Sequence, residues 1–545
     1  MKPALIALGL ILAVGIAAAQ DHPSMDSAKP AVLMPGLGNL HHPISTKSAE
    51  AQSFFDQGLT LVYAFNHDEA ARSFHRAAEL DPQAEMPWWG VALAVGPNYN
   101  MDVDPQREKE AYDAIQKART LAANGPENER AYIEALARRY SNDPKADLKA
   151  LAVEYKNAMR DLVAHYPDDL DATTIYAESM MDLHPWQLWT LDGKPTEDTN
   201  EIIAVLQSVL RRDPLHIGAN HYYIHATEAS PHPEQALTSA HRLDTLAPAA
   251  GHLVHMPAHI YERTGFYAQA AQASRVAAEA DRDYLGTTGT KGGVYGLMYY
   301  SHNLHFLAQS ASMQGRFAEA KGAADQLVAN VGASVKPMPM LESFLPMPIY
   351  VLVRFNRWDD IVNRAAPDAS LSVTNAIWHY ARGVAFAGQS DTAKAQQERE
   401  ALAAAIQKQP ADATFGFNTS RSVLGLALEV LDARAAAALG DRKGSIEHWR
   451  CAVAMQDAMV YDEPPDWYYP VRESLGAALS IDGQYDEAAK VFRADLDQNP
   501  RNPRSLFGLF ETLKAQRKMA DAEWVHQEFQ EAWKDADVQL RLKDL

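Results

Sequence analysis

The feature that most constrains this chain is a spacing. The stretch FFDQGLTLVYAFNHDEAARSFHRAAELDP (54–82) places Gly58, Ala70, Phe74, Ala77 and Pro82 at fixed offsets. ESLGAALSIDGQYDEAAKVFRADLDQNP (473–500) repeats the scheme with Gly476, Gly483, Tyr485, Ala488, Phe492 and Pro500. Further good copies occupy 217–248, 251–281, 301–330 and 501–530, with weaker ones near 84–124, 173–214, 374–405 and 426–457. Short amphipathic stretches alternate with brief breaks, and no run alternates in the manner of a strand. A fixed internal period of this kind means that each unit buries its apolar face only by stacking on its neighbours.

These copies resemble the tetratricopeptide repeat, a pair of antiparallel helices of about 34 residues with small residues where the helices cross. The resemblance covers most of the chain after Lys47 and is specific for fold, not function. It implies an all-α, helical-hairpin solenoid, a right-handed superhelix whose first helices line a concave groove. Three segments interrupt the period, at 184–199 (HPWQLWTLDGKPTEDT), 284–296 (YLGTTGTKGGVYG) and 335–348 (VKPMPMLESFLPMP). Insertions in solenoids map to loops, often on the binding side, so HPWQLW is a candidate cover for the groove. The glycines of 286–293 lack P-loop spacing and read as a connection.

The first twenty residues, MKPALIALGLILAVGIAAAQ, carry an early charge, a short apolar run and a small-residue cleavage site. That pattern is a secretory signal peptide. The expected organisation is therefore a signal peptide at 1–19, a flexible leader at 20–48, repeats at 49–330, a Pro/Met-rich connection at 331–348 and further repeats at 349–545. The expected location is the periplasm or the cell exterior. No later run is long and apolar enough to span a bilayer. A formal net charge of −20 argues against nucleic-acid or anionic-lipid binding, both of which need a basic surface. Cys451 is the single cysteine, so a metal would have to be held by His, carboxylate or Met.

Histidine supplies the functional signal. With each repeat numbered so that its mid-turn Gly is position 15, His221, His225 and Glu228 fall at positions 5, 9 and 12 of the repeat starting at Ile217. His252, His255, His259 and Glu262 fall at 2, 5, 9 and 12 of the next, and His302 and His305 at 2 and 5 of the third. The tetratricopeptide resemblance implies that these positions face the groove. Helix geometry agrees, since residues three or four apart share a face with Cβ atoms about 5–6 Å apart. Packed axes lie about 8–10 Å apart, so imidazoles of successive repeats are expected to converge.

Seven histidines in register suit a transition metal, with an anionic or peptide groove and a structural patch as the alternatives. Copper or zinc is expected first, and carboxylate ligation would admit iron. The supply is enough for two ions, a set similar, by analogy only, to the all-histidine paired copper sites of oxygen-binding proteins. Glu228 and Glu262 are candidate ligands, acceptors for ring N–H groups, or general bases. Two function classes compete: a metal-dependent hydrolase or oxidoreductase, or a scaffold binding a small molecule or peptide in its groove.

Weaker candidates remain. Gln20-Asp21-His22 would be an amino-terminal Cu(II) or Ni(II) motif if cleavage leaves a free amine. His41-His42 reads as linker, and His67 and His75 as surface. Met338, Met340 and Met347 read as packing residues. Trp88-Trp89 is expected between helices. In 461–473, Pro470, Arg472 and Glu473 form a candidate second groove patch.

Overall fold

The computed structural model describes residues 31–290 and 292–545. The expected signal peptide, most of the leader and the Gln20-Asp21-His22 motif lie outside the described residues. The rest is a tetratricopeptide-type solenoid of 24 α-helices, with one small hairpin pairing Thr414–Phe415 with Asn418–Thr419.

Each unit is two antiparallel helices joined by a tight turn, and most of these turns hinge on one residue in the left-handed region. Gly265, Gly315, Gly440 and Gly483 do this at φ between 74° and 84°, where glycine is unstrained. The helix crossings explain the recurring Gly and Phe. A Cβ on Gly58 or Gly90 would lie 2.6 or 2.4 Å from the ring of Phe74, and one on Gly476 or Gly508 2.7 or 2.2 Å from the ring of Phe492. One fully buried phenylalanine therefore fills the space between three successive helices, and only glycine leaves room for it.

The array closes on itself. Tyr63, at the end of helix Ala49–Tyr63, lies against helix Ile217–Thr227, where a Cβ on Gly218 would stand 2.6 Å from its ring. At the other end Trp533 covers Gly315, Asp537 binds the amides of Phe317 and Ala318, and Pro500 abuts Gly265. The central repeats are thus enclosed from both sides.

Residues 31–48, read from sequence as part of a flexible leader, are instead pinned along this closure. Met34 N donates to Gln57, Ser45 N to Glu129 and Thr46 Oγ1 to Asp81, while the Gly36 carbonyl accepts from Ala249 N. His42, read as linker, pairs with Asp171 at 2.8 Å. Asp171 also accepts from Tyr63 OH and lies 3.3 Å from His216 Nε2. The segment is ordered because its polar groups find partners in distant repeats. The 335–348 stretch is likewise built in, with Leu341, Phe344 and Met347 buried and Met340 exposed. The buried apolar residues form two main clusters that meet around 261–306, ahead of that stretch.

Removing either ring at a crossing leaves a cavity that fixed helix backbones cannot collapse. Phe74→Ala and Phe492→Ala are each expected to lower the unfolding free energy by about 3–5 kcal/mol, measured by urea denaturation.

Candidate metal centre

Six of the seven expected histidines meet inside the closed array. His221, His225 and His252 form one trio and His255, His259 and His302 a second; within each, one ring nitrogen per residue lies within 4.8 Å of the others. Five of the six are at most 3% exposed, and His302 is half-buried. His221 Nε2 stands 3.1 Å from His252 Nε2, His255 Nε2 2.9 Å from His259 Nε2, and His302 Nε2 3.3 Å from His259 Nε2. Nitrogens bound tetrahedrally at ~2.0–2.1 Å from one ion stand about 3.3 Å apart. The trios adjoin, with the rings of His225 and His259 centred 6.0 Å apart and those of His252 and His255 6.2 Å apart.

The outer nitrogens show why the inner ones are free. A carbonyl or carboxylate only accepts, so the ring nitrogen beside it carries the hydrogen. His221 Nδ1 donates to the Tyr63 carbonyl at 2.6 Å and His225 Nδ1 to Glu228 Oε1 at 3.0 Å. His259 Nδ1 lies 2.8 Å from Glu228 Oε2 and in contact with Glu463. His221 and His225 then each turn an Nε2 lone pair inward, the arrangement that metal-binding histidines share, whereas His259 offers its Nε2 only once an ion displaces the proton there. Glu228, one carboxylate serving both trios, lies on the outer nitrogens of His225 and His259. With His259 and Glu463 it forms a third group whose candidate ligand atoms lie within 4.8 Å of one another.

Burial, reinforced by neighbouring imidazoles, holds His221, His252, His255 and His302 well below the usual histidine range. These rings keep neutral nitrogens available. His259 is the exception. Burial opposes its charge, but Glu228 and Glu463 outweigh that and raise it to about 10. Glu228 is in turn held down to about 2, its burial outweighed by His259 and His225. Burial pushes Glu463 up to about 7 against the pull of His259.

Aromatic side chains make the walls. Phe65 lies 4.6–5.6 Å from His221, His225 and His252, and Phe306 4.6–4.9 Å from His255, His259 and His302, centroid to centroid. Trp186, from the HPWQLW insertion, meets His225 edge-on at 5.9 Å. Phe65 and Trp186 also have left-handed backbones, at φ 54° and 58°. Such a conformation costs a bulky residue on the order of 1–3 kcal/mol and persists only where the surroundings enforce it. Among the described residues these are the two aromatic positions of that kind, and both press on the histidines. A cavity of about 2030 Å³ opens beside the cluster, bordered by Trp186, Phe306, Glu262, Glu463, Tyr461 and Phe417.

Several expected residues stand elsewhere. His305 is not in either trio and packs edge-on against Phe344. Glu262 does not reach the ring nitrogens. It accepts from Ser310 Oγ at 2.8 Å and borders the cavity, where burial raises its carboxyl to about 8. His67 is not a surface residue: it is buried with both ring nitrogens unpartnered and stacks on Phe65, while His75 is half-buried against Trp88. Trp89 is buried between helices as expected. Glu473 is in the core, bound to Arg354, and not in a groove patch. Sequence reasoning missed Glu463. Its only local signal is an acidic residue set among prolines and aromatics in YDEPPDWYY.

The depressed basicity of His255 has a signed consequence. The unfolded chain takes up a proton at this residue near pH 6.5 and the folded chain does not. Stability contributed by neutral His255 is therefore lost as the pH falls through that value. With chelator present, the stability difference between the parent and His255→Gln is expected to shift against the parent by up to about 1.4 kcal/mol per pH unit below pH 6.5. Urea melts from pH 8 to pH 5 measure it.

Comparison with protein-family models and with curated proteins gives no match. Among solved structures the chain is similar to the human IFIT1 dimer with m7Gppp-AAAA, at 13% identity over 90% of this chain and 92% of that one, with a TM-score of 0.32. It is also similar to yeast Tom70, at 12% identity over 88% and 99% of the two chains and a TM-score of 0.31. A third is the APC/C heterotetramer Cut9–Hcn1, at 12% identity over 86% and 78% and a TM-score of 0.32.

Proposed function

We propose that this chain binds a pair of transition-metal ions, one in each histidine trio, and brings them to a small molecule held in the adjoining cavity. The observation that carries the reading is the convergence of six buried imidazoles into two adjoining three-nitrogen sets, with outer nitrogens tied to Tyr63 and Glu228. Burying so many polar rings without an ion would leave nitrogens unpaired in a dry interior, which is costly. His225 Nε2, an inward-facing nitrogen, is indeed buried without a hydrogen-bond partner.

Copper fits this site best. Imidazole is a good ligand for copper, iron, nickel and zinc. All-imidazole trios suit copper and zinc more than iron, and two such trios side by side suit a pair of ions acting together in redox chemistry. The aromatic walls and the closure by both ends of the array keep bulk water away, and Glu228 and Glu463 offset the ionic charge from one bond further out. The expected chemistry is then oxidoreduction of a small molecule. Glu262 and Glu463, carboxyls raised by burial at the cavity wall, are the groups positioned to exchange protons with it. The same pair of raised carboxyls supports a second reading, a zinc hydrolase with Glu262 as general base. Export to the periplasm belongs to the proposal, as does the absence of nucleic-acid ligands from a chain of net charge −20. Among the described residues no helix is long and apolar enough to cross a membrane.

Inductively coupled plasma mass spectrometry after dialysis against copper and zinc tests the site and chooses between the readings. Two equivalents of copper are expected for the parent. The His255→Ala, His259→Ala double variant is expected to lose at least one, whereas His232→Ala, His241→Ala, at side chains 67% and 66% exposed, retains both. Equal metal content in the two variants would overturn the proposal, and zinc in place of copper would select the hydrolase. Glu228→Gln leaves every ligand in place but removes the charge behind His225 and His259. It is expected to weaken copper binding by about 10–100-fold, read by competition with a chromophoric chelator.

A further inference from the structure

The first histidine trio borders a file of tyrosines that metal binding does not require. His252 meets Tyr299 edge-on with ring centres 5.0 Å apart. Tyr299 stacks on Tyr295 at 5.4 Å, and Tyr295 meets Tyr284 edge-on at 5.4 Å. Tyr284 lies beside the exposed residues Arg282, Asp283 and Gly286. Tyr295 and Tyr299 are the two ends of a π-helix, Tyr295–Tyr299, that opens into the helix carrying His302. Turns of this type are rare and are found mostly at functional sites.

Each phenol also has a fixed polar partner. Tyr295 OH donates to Asp281 Oδ1 at 2.7 Å and Tyr284 OH to Glu69 Oε2 at 3.2 Å, while Tyr299 OH accepts from Asn100 Nδ2 at 3.1 Å. The Asp281 carboxylate is itself built in. Asn303 Nδ2 donates to its second oxygen at 2.6 Å, and a Cβ on Gly251, the first residue of the central histidine helix, would stand 2.0 Å from Oδ1. Packing alone would be served by phenylalanine, which spares the cost of burying hydroxyl and carboxylate. A redox role needs both groups. Loss of one electron turns a phenol from a very weak acid into a strong one, so its oxidation is easy only where a base waits on the hydroxyl.

We propose that Tyr299, Tyr295 and Tyr284 form a relay that carries oxidising equivalents from the histidine site to the outer end of the file. The proposal rests on the reading of that site as a redox-metal pair. At each hop a phenol gives one electron toward the site. At Tyr295 and Tyr284 the proton passes along the hydrogen bond to Asp281 or Glu69, leaving a neutral phenoxyl radical and a protonated carboxyl. Tyr299, whose hydroxyl meets the Asn100 amide and no base, keeps its proton and only passes the electron on. With hydrogen peroxide as oxidant, two phenols supply the two electrons and their protons stay on Asp281 and Glu69. The O–O bond breaks, two protons are taken from solvent at the site, and two phenoxyl radicals, two protonated carboxyls and two waters result.

The test loads the full chain with copper, reduces it with ascorbate, removes the ascorbate and adds hydrogen peroxide in excess, so that one equivalent reoxidises the copper and the next draws on the phenols. The sample is then frozen for electron paramagnetic resonance, with ring-deuterated tyrosine to assign the signal. A tyrosyl radical is expected in the parent and in Tyr300→Phe, which lies off the file. It is expected to be lost in Tyr299→Phe, and its outer component in Tyr295→Phe. Asp281→Asn, which keeps every ring but removes the base, is expected to lower the yield at unchanged copper content and circular dichroism. A radical of equal yield in Tyr299→Phe, or one residing on Trp186, would overturn the relay. Copper bound without any tyrosyl signal overturns the relay and leaves the metal site standing; no bound copper removes both.

Discussion

Taking six imidazoles out of water is the constraint to which the rest of this molecule answers. An open groove would leave them solvated and protonated together as the pH falls. Here the array bends until its first repeat lies across its middle, with Tyr63 seated on Gly218 and its carbonyl on His221. The same contact that closes the superhelix therefore sets the tautomer of a candidate ligand. From the other side Glu463 reaches His259, so a second carboxyl group, brought from a distant part of the chain, meets the same imidazole in the interior. Fold and site share their supports, and neither is an addition to the other.

The sequence made the solenoid and most of the cluster legible for one reason, periodicity. Gly58 with Phe74 and Gly476 with Phe492 announce helix crossings because the same steric demand recurs in each. The histidines announce themselves because positions 2, 5 and 9 of neighbouring repeats project to one place. What periodicity does not govern was not legible. Glu463 sits in a stretch outside the repeat register, and only closure of the array brings it to His259. Residues 31–48 look like linker because their partners, Asp81, Glu129 and Asp171, are remote in sequence. His305 shares the register yet not the cluster, because its ring packs on Phe344 from the inserted stretch that breaks the period.

The two strained aromatic residues mark where local preference yields to the site. Most hairpins in the array turn on glycine or a polar residue, but the first turns on Phe65 at φ 54°. Glycine there would relax the backbone and remove the ring that lies on three histidines. Trp186 repeats the bargain in an insertion. A conflict between local preference and global structure that recurs twice at one place is the expected signature of a functional region.

The wall of the centre is drawn from widely separated parts of the chain, and this fixes an order of assembly. The second trio belongs to two adjacent helices, Gly251–Arg263 and Tyr300–Met313, whereas Tyr63 and Glu463 arrive from the flanking regions at a cost in loop closure that grows with the chain between. On the proposed reading the central helices could hold an ion as soon as they pack, and the two ends would then shut over it. The residence of such an ion would depend on the opening of the superhelix as well as on the bonds that hold it.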